Sequence, residues 1–168
     1  MTYVNIYTDR FSEPFRELMR KEYGKITMYM DKEFKDRGVS WWNLIPISES
    51  TTMMRSSGQI RNYEVLLSYF QHSKREKDRI WFRDISEVGE RLKRLVGDNS
   101  NFTVRATWVN ESGTWGSTNV VWSADRDTYC WHNMYCEIEY DPDIELPEGT
   151  EVAMINFKLT FNIEEVYE

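Results

Sequence analysis

The sequence predicts an α+β domain: a mostly antiparallel β-sheet flanked by two main helices, with an extended β-hairpin region in the second half. Three observations carry this. In RNYEVLLSYFQ, Tyr63, Val65, Leu67 and Tyr69 share one face by the two-residue strand period. Leu66 and Phe70 fall on the other, so both faces of that strand are at least partly covered. Further on, Ile85, Val88, Leu92, Leu95 and Val96 recur at helical spacing and form an apolar stripe that needs a sheet to bury it. After Gly97 the texture becomes alternating, strand after strand.

In order along the chain, Met1 to Phe11 is ambiguous between a short strand and an irregular lead-in. Ser12-Glu13-Pro14 is a helix start, since proline is tolerated in the first turn. Phe15, Leu18, Met19 and Tyr23 make the stripe of this first helix, 13–23, and Gly24 ends it. ITMYM at 26–30 reads as a short strand and 31–38 as a charged turn. WWNLIPIS at 41–48 is a second strand, with Pro46 at a sheet edge or at its end. Ser48 to Gln59, SESTTMMRSSGQ, reads as a long flexible loop, mobile in an isolated subunit and ordered in an assembly. Its Met53 and Met54 suit docking onto a partner, because methionine adapts to irregular surfaces.

The charged loop HSKREKDR separates the central strand from the second helix. Asp84 is placed as N-cap of a capping box with Glu87, and Gly97 as the left-handed C-cap. FTVRATWV at 102–109 alternates cleanly, 110–118 is a hairpin turn, and 119–123 is the return strand. A long strand over 128–140 leads into the acidic turn DPDIELPEG. The last strand, 152–163, puts Ala153, Ile155, Phe157, Leu159, Phe161 and Ile163 on one face. No repeat or linker divides residues 1–168, so a single domain is expected.

Hydrophobic residues make up 40% of the chain and charged residues 29%, which fits a folded soluble domain rather than a disordered one. No apolar run is long enough for a membrane helix, and MTYVNIYTDRF lacks the pattern of a signal peptide. A product made in the cytoplasm is therefore expected, and the sequons at Asn101 and Asn110 are chance matches. Charge is uneven. Residues 1–97 hold 18 Lys and Arg against 14 Asp and Glu, a net of +4; residues 98–168 hold 3 against 14, a net of −11. Such asymmetry fits either complementary surfaces on neighbouring subunits or an acidic, solvated sheet face.

Candidate chemistry is thin. Cys130 and Cys136 lie on one strand roughly 20 Å apart, too far to bridge, and are read as thiols. His132 shares their strand, but a zinc site has no second Cys/His pair to close it. A Cys–His catalytic pair two residues apart on a strand has diverging side chains. Asp141, Asp143 and Glu145 lack the glycine spacing of a calcium loop. Walker, GxGxxG and HExxH motifs are absent from the sequence. The expectation is a non-enzyme without cofactor or metal. The basic residues Lys74, Arg75, Lys77 and Arg79 are interrupted by Glu76 and Asp78, which fits a subunit-facing or solvated loop better than a nucleic-acid patch. Trp108, Trp115, Trp122 and Trp131 are divided among core packing, subunit contacts and sugar stacking.

In RNYEVLLSYFQ followed by DISEVGERLKRLVGDN, and in the closing strand FKLTFNIEEV, the chain resembles the tail terminator (tail completion, or neck) proteins of tailed bacteriophages. The likeness is one of element order and texture over most of the chain, with 112–140 as a candidate β-hairpin insertion. It implies a structural virion protein that forms a ring, usually hexameric. The ring would cap the tail tube, bind the tail tube protein and meet the head connector or stopper protein. DNA would pass through its lumen without specific binding, and an acidic lumen would let it slide. The contact residues would be Met53, Met54, Lys74, Arg75, Lys77, Arg79, Asp141, Asp143 and Glu145. The alternatives are another neck or tail component, such as a stopper or tube protein, or a monomeric carbohydrate- or ligand-binding β module.

Overall fold

The structure, a computed structural model, describes residues 5–24, 27–30, 39–56, 58–72, 78–104, 128–145 and 151–166. It is α+β, as the alternation and the two apolar stripes require. The strands are β1 (Met28–Tyr29), β2 (Ser40–Arg55), β3 (Gly58–His72), β4 (Phe102–Val104), β5 (Thr128–Glu145) and β6 (Glu151–Val166); the helices are α1 (Glu13–Tyr23) and α2 (Asp78–Asp98). The sheet order is β1-β2-β3-β6-β5-β4. All pairings are antiparallel except β1 with β2, which is parallel.

Strands β3 and β6 form the centre. Their register sets Tyr63 opposite Phe161, Val65 opposite Leu159, Leu67 opposite Phe157 and Tyr69 opposite Ile155. These residues are all buried, on the face that the alternation assigned to the core. Helix α2 covers that face with Ile85, Leu92 and Val96 buried and Val88 and Leu95 partly buried. Phe15 and Met19 of α1 enter the same core. The two helices are tied together as well. Tyr23 Oη donates to the Val88 carbonyl at 3.1 Å, and Arg91 pairs with Glu22 at 2.8 Å while lying over the Tyr23 ring.

The lead-in before α1 is helical from Ile6, with a π-helical turn over Thr8–Ser12. Asn5 Oδ1 accepts from the Thr8 N–H, as an N-cap does. Ser12 is therefore not the helix start: its backbone is helical, its side chain makes no capping bond, and it is buried. The π turn places Phe11 at the middle of an aromatic cluster. Its ring stacks on Phe161 at 4.1 Å and Phe15 at 5.1 Å, and meets Trp131 edge-on at 5.8 Å. Gly24 ends α1 at φ +66°, as the sequence indicated.

Helix α2 is longer than its stripe at both ends. Asp84 and Glu87 lie inside it, so they form no capping box; the helix starts at Asp78, within the segment read as a loop. Gly97 is also helical. The chain leaves after Asp98, where both the backbone N–H and the side-chain amide of Asn99 bond to the Leu95 carbonyl. Trp131 Nε1 donates to the Asn99 carbonyl at 2.8 Å and fastens this end to β5.

The expected loop from Ser48 to Gln59 is strand. β2 runs to Arg55 and β3 begins at Gly58, paired throughout, with register shifts between Pro46 and Ser48 and between Thr51 and Met53. Small polar residues there reflect exposure on a protruding hairpin rather than absence of structure. β3 continues along β6 to Gly58↔Val166, so the protrusion is three-stranded at its end. β5 likewise runs into the expected acidic turn, continuing through Asp141 and Pro142 to Glu145. A register shift between Asp141 and Ile144 accommodates the proline, which cannot donate to a ladder. The strand expected at 26–30 is described only at its paired residues, Met28 and Tyr29. The turn at 31–38 and most of the hairpin after Val104, residues 105–127, lie outside the described residues.

Candidate functional site: an open sheet edge and an acidic face

β1 pairs with β2 only at Trp42 and Asn43. Among the described residues, Leu44 to Arg55 therefore has no strand on its outer side. Three apolar side chains are exposed on this stretch: Ile47, Met53 and Met54, the last 77% exposed. Pro46 also lies here, which agrees with its reading as an edge residue. Unpaired edges invite pairing with another chain.

A charged clamp ties this edge strand to the strands beside it. Arg61 on β3 bonds to Glu49 of β2 at 2.9 Å and to Glu165 of β6, which also accepts from Gln59. Hydrogen bonds from Gln59 and then Arg61, working against desolvation, hold the Glu165 carboxyl below the usual carboxylate range. Just inside the clamp, burial raises the Tyr63 phenol, and burial with Tyr63 close by pushes Tyr7 up to about 12. These groups stay neutral and serve as packing.

The sheet face opposite the helices has two parts. Near one end, Trp41, Phe70 and Val152 form a small second core, with the Trp41 and Phe70 rings stacked 5.1 Å apart. Beside it Ser68 Oγ bonds to Asn156 Oδ1 at 2.7 Å, whereas both polar atoms of the buried Asn43 side chain lack a partner. The remainder is charged. By register, Glu64, Glu137, Glu139, Asp141 and Glu164 share this face with Lys158, which pairs with Glu64 at 3.2 Å. Arg55, opposite Gly58, falls on the same face by register, so the described residues set five carboxylates there against two cationic residues. The hydrogen bond from Lys158 to Glu64 raises the lysine pKa, so its charge is firmly kept.

The expected contact residues fall in different places. Met53 and Met54 sit on the open edge. Asp141 is on the acidic face, and Asp143 and Glu145 follow it on β5. Arg79 is in the first turn of α2, while Lys74, Arg75 and Lys77 lie outside the described residues. Arg61 was missed because a lone arginine on a strand has no motif around it; its partner Glu165 is 104 residues away. The tryptophans also sort out in part: Trp41, Trp42 and Trp131 are core. Trp108, Trp115 and Trp122 lie outside the described residues.

Cys130 is buried in the main core and Cys136 is half-buried, its thiol pKa raised by burial. Neither is in a disulfide. Among the described residues no cluster of His, Cys, Asp or Glu is arranged to hold a metal ion, and no helix is long and apolar enough to cross a membrane. The chain matches no protein-family model and no curated protein.

Proposed function

We propose that the chain is a structural subunit that assembles into a ring, of the kind formed by tail terminator proteins of tailed bacteriophages. The observation that carries this reading is the open edge of β2. It is long, tied by Arg61 to the strands beside it, and lined by Ile47, Met53 and Met54 where a monomer gains nothing from exposed apolar groups. A neighbouring subunit adding a strand there gains main-chain hydrogen bonds and buries those side chains. A head-to-tail contact of this kind repeats around an axis until it closes. The acidic sheet face supports the second half of the reading. Turned toward a lumen, Glu137, Glu139 and Asp141 repel phosphates, so that DNA passes without sticking. Tail tube and head connector proteins are the proposed partners above and below, and the virion neck the proposed location.

Light scattering on the purified chain tests the assembly. A discrete oligomer of several subunits is expected, and Ile47→Lys with Met54→Lys should leave monomers with an unchanged circular dichroism spectrum. A wild-type chain that stays monomeric at high concentration and low salt, without partner, overturns the edge contact.

A further inference from the structure

A cleft of about 410 Å³ opens between the end of α1 and the β1–β2 edge. Its described lining is Arg16, Met19, Arg20, Gly24, Thr27, Met28 and Trp42. Met19 and Met28 are buried and, with the indole of Trp42, make an apolar floor. Arg16 and Arg20, one helical turn apart, stand on one side of it. None of these lining residues is acidic. The nearest acidic partners are on α1 itself: Glu17 meets Arg20 at 2.8 Å and Glu13 reaches Arg16 at 4.0 Å. Each contact uses one guanidinium nitrogen, and a guanidinium carries five N–H donors. Both side chains remain about half exposed, at 41% and 56%.

A second observation is independent of the arginines. Trp42 is 1% exposed, yet its Nε1 has no hydrogen-bond partner. Buried donors are nearly always paired, and an indole N–H can only donate. The backbone here is already satisfied, since the Trp42 N–H bonds to the Thr27 carbonyl at 2.9 Å. Trp42 is fixed by Tyr23 and Tyr69, whose rings lie 5.0 and 4.7 Å away. The cleft thus combines two cationic forks with an apolar floor that includes the indole of Trp42, whose buried Nε1 is unpaired, and its described lining carries no negative charge.

We propose that this cleft binds a small organic anion: a flat apolar body bearing a carboxylate or phosphate monoester, with an acceptor atom within reach of Trp42 Nε1. The apolar body lies on Met19, Met28 and the indole. The anionic end pairs with Arg16 and Arg20, where planar forks match carboxylate and phosphate oxygens. This site is separate from the β2 edge at Ile47 to Met54 and stands whether or not that edge assembles.

The test is NMR of the full chain with ¹⁵N-labelled tryptophan, in which the Trp42 indole signal is assigned by its loss in Trp42→Phe. Benzoate and phenyl phosphate are the probes; benzyl alcohol is the neutral control and inorganic phosphate the control for an ion alone. The expected result is a saturable shift of the Trp42 indole N–H with benzoate or phenyl phosphate. Benzyl alcohol should leave it unmoved. Affinity should fall at least about tenfold in Arg16→Gln with Arg20→Gln. Arg16→Lys with Arg20→Lys should recover part of it, and unchanged thermal unfolding of both variants shows that the fold is intact. A shift preferring phenyl phosphate assigns the phosphate form, and one preferring benzoate the carboxylate form. An equal shift with benzyl alcohol, a response to inorganic phosphate as strong as to either probe, an arginine-independent shift, or no saturable shift up to about 10 mM overturns the proposal.

Discussion

Replacing Phe11 by alanine should be among the most damaging single changes in the chain. Phe11 has no exposed surface, stacks on Phe161 and Phe15, and meets Trp131 edge-on and Tyr7 at 5.5 Å. It belongs to a π-helical turn, which cannot slide inward to fill the gap without giving up the cap at Asn5. Losing the ring costs its transfer free energy and leaves a cavity, together about 3–5 kcal/mol. Phe11→Leu keeps most of the apolar volume and loses the ring geometry but opens no comparable cavity, so its cost should be smaller than that of the alanine variant. Against a total stability of about 5–15 kcal/mol, the alanine variant should remain folded but lose about 6–20 °C of Tm. Urea unfolding followed by circular dichroism measures it, with equal m-values for wild type and variants. A cost below about 1 kcal/mol for Phe11→Ala would show that the lead-in is not part of the core and that the aromatic cluster does not hold it.

Leu92→Ala, at the middle of the buried stripe of α2, should cost about 2–5 kcal/mol in the same assay; under half of that lower bound means α2 is not seated as described. Asn43→Leu removes a buried amide without partners and should be neutral or stabilising by up to about 2 kcal/mol, whereas a loss above 1 kcal/mol would reveal a bonded side chain. A Cβ on Gly89 would meet Tyr140 Oη at 2.6 Å, so Gly89→Ala should gain more of its roughly 1 kcal/mol of helix propensity when combined with Tyr140→Phe; the double-mutant cycle shows this coupling or its absence. The depressed pKa of Glu165 adds stability that is present above the ordinary carboxylate value near 4.5 and is lost as pH falls through the lower folded value; Arg61→Met should flatten unfolding free energy over that acid range, and an unchanged pH slope would discount the clamp. In the assembly, Lys74→Glu with Arg75→Glu should block oligomers, with partial recovery by Asp141→Lys and Asp143→Lys, and wild-type oligomers should weaken with salt; oligomers that tighten with salt point instead to the apolar edge alone.

The parts of the fold legible in the sequence are those where one side-chain period runs unbroken. β6 alternates from Ala153 to Ile163 because one face meets two helices and the other meets solvent, and that demand writes itself at every second residue. α2 shows its stripe for the same reason. The ends were harder. Asp84 and Gly97 have the residue types of caps, yet the helix runs past both; at its C-terminal end Trp131 Nε1, from β5, meets the carbonyl of Asn99 just beyond the last turn. Local propensity proposes such an end, whereas the contact that fastens the observed one comes from 32 residues away. The lead-in shows the converse. Tyr7, Phe11 and Phe15 are spaced four apart, one helical face, with Asn5 as its cap, but the π turn interrupts the regular period and hides it.

Segment 48–59 shows why the site was only half legible. Serine, threonine and glycine in a run describe exposure, and exposure is shared by loops and by hairpins that project from a sheet. What distinguishes them here is Arg61, whose fork holds Glu49 on one neighbouring strand and Glu165 on the other. A loop has no fixed carboxylates to offer such a fork; two paired strands do, at the spacing that pairing sets. The same geometry gives Met53 and Met54 their meaning. On a mobile loop they would order only on binding, at an entropic cost for each residue fixed. On a clamped strand much of the backbone cost has already been met in folding, so an incoming strand finds its hydrogen-bonding groups aligned. The methionines, with their flexible side chains, then adjust to the partner's surface. The sequence marks Met53 and Met54 as adaptable contact residues, and the strand geometry sets both exposed on the stretch of β2 that β1 leaves unpaired.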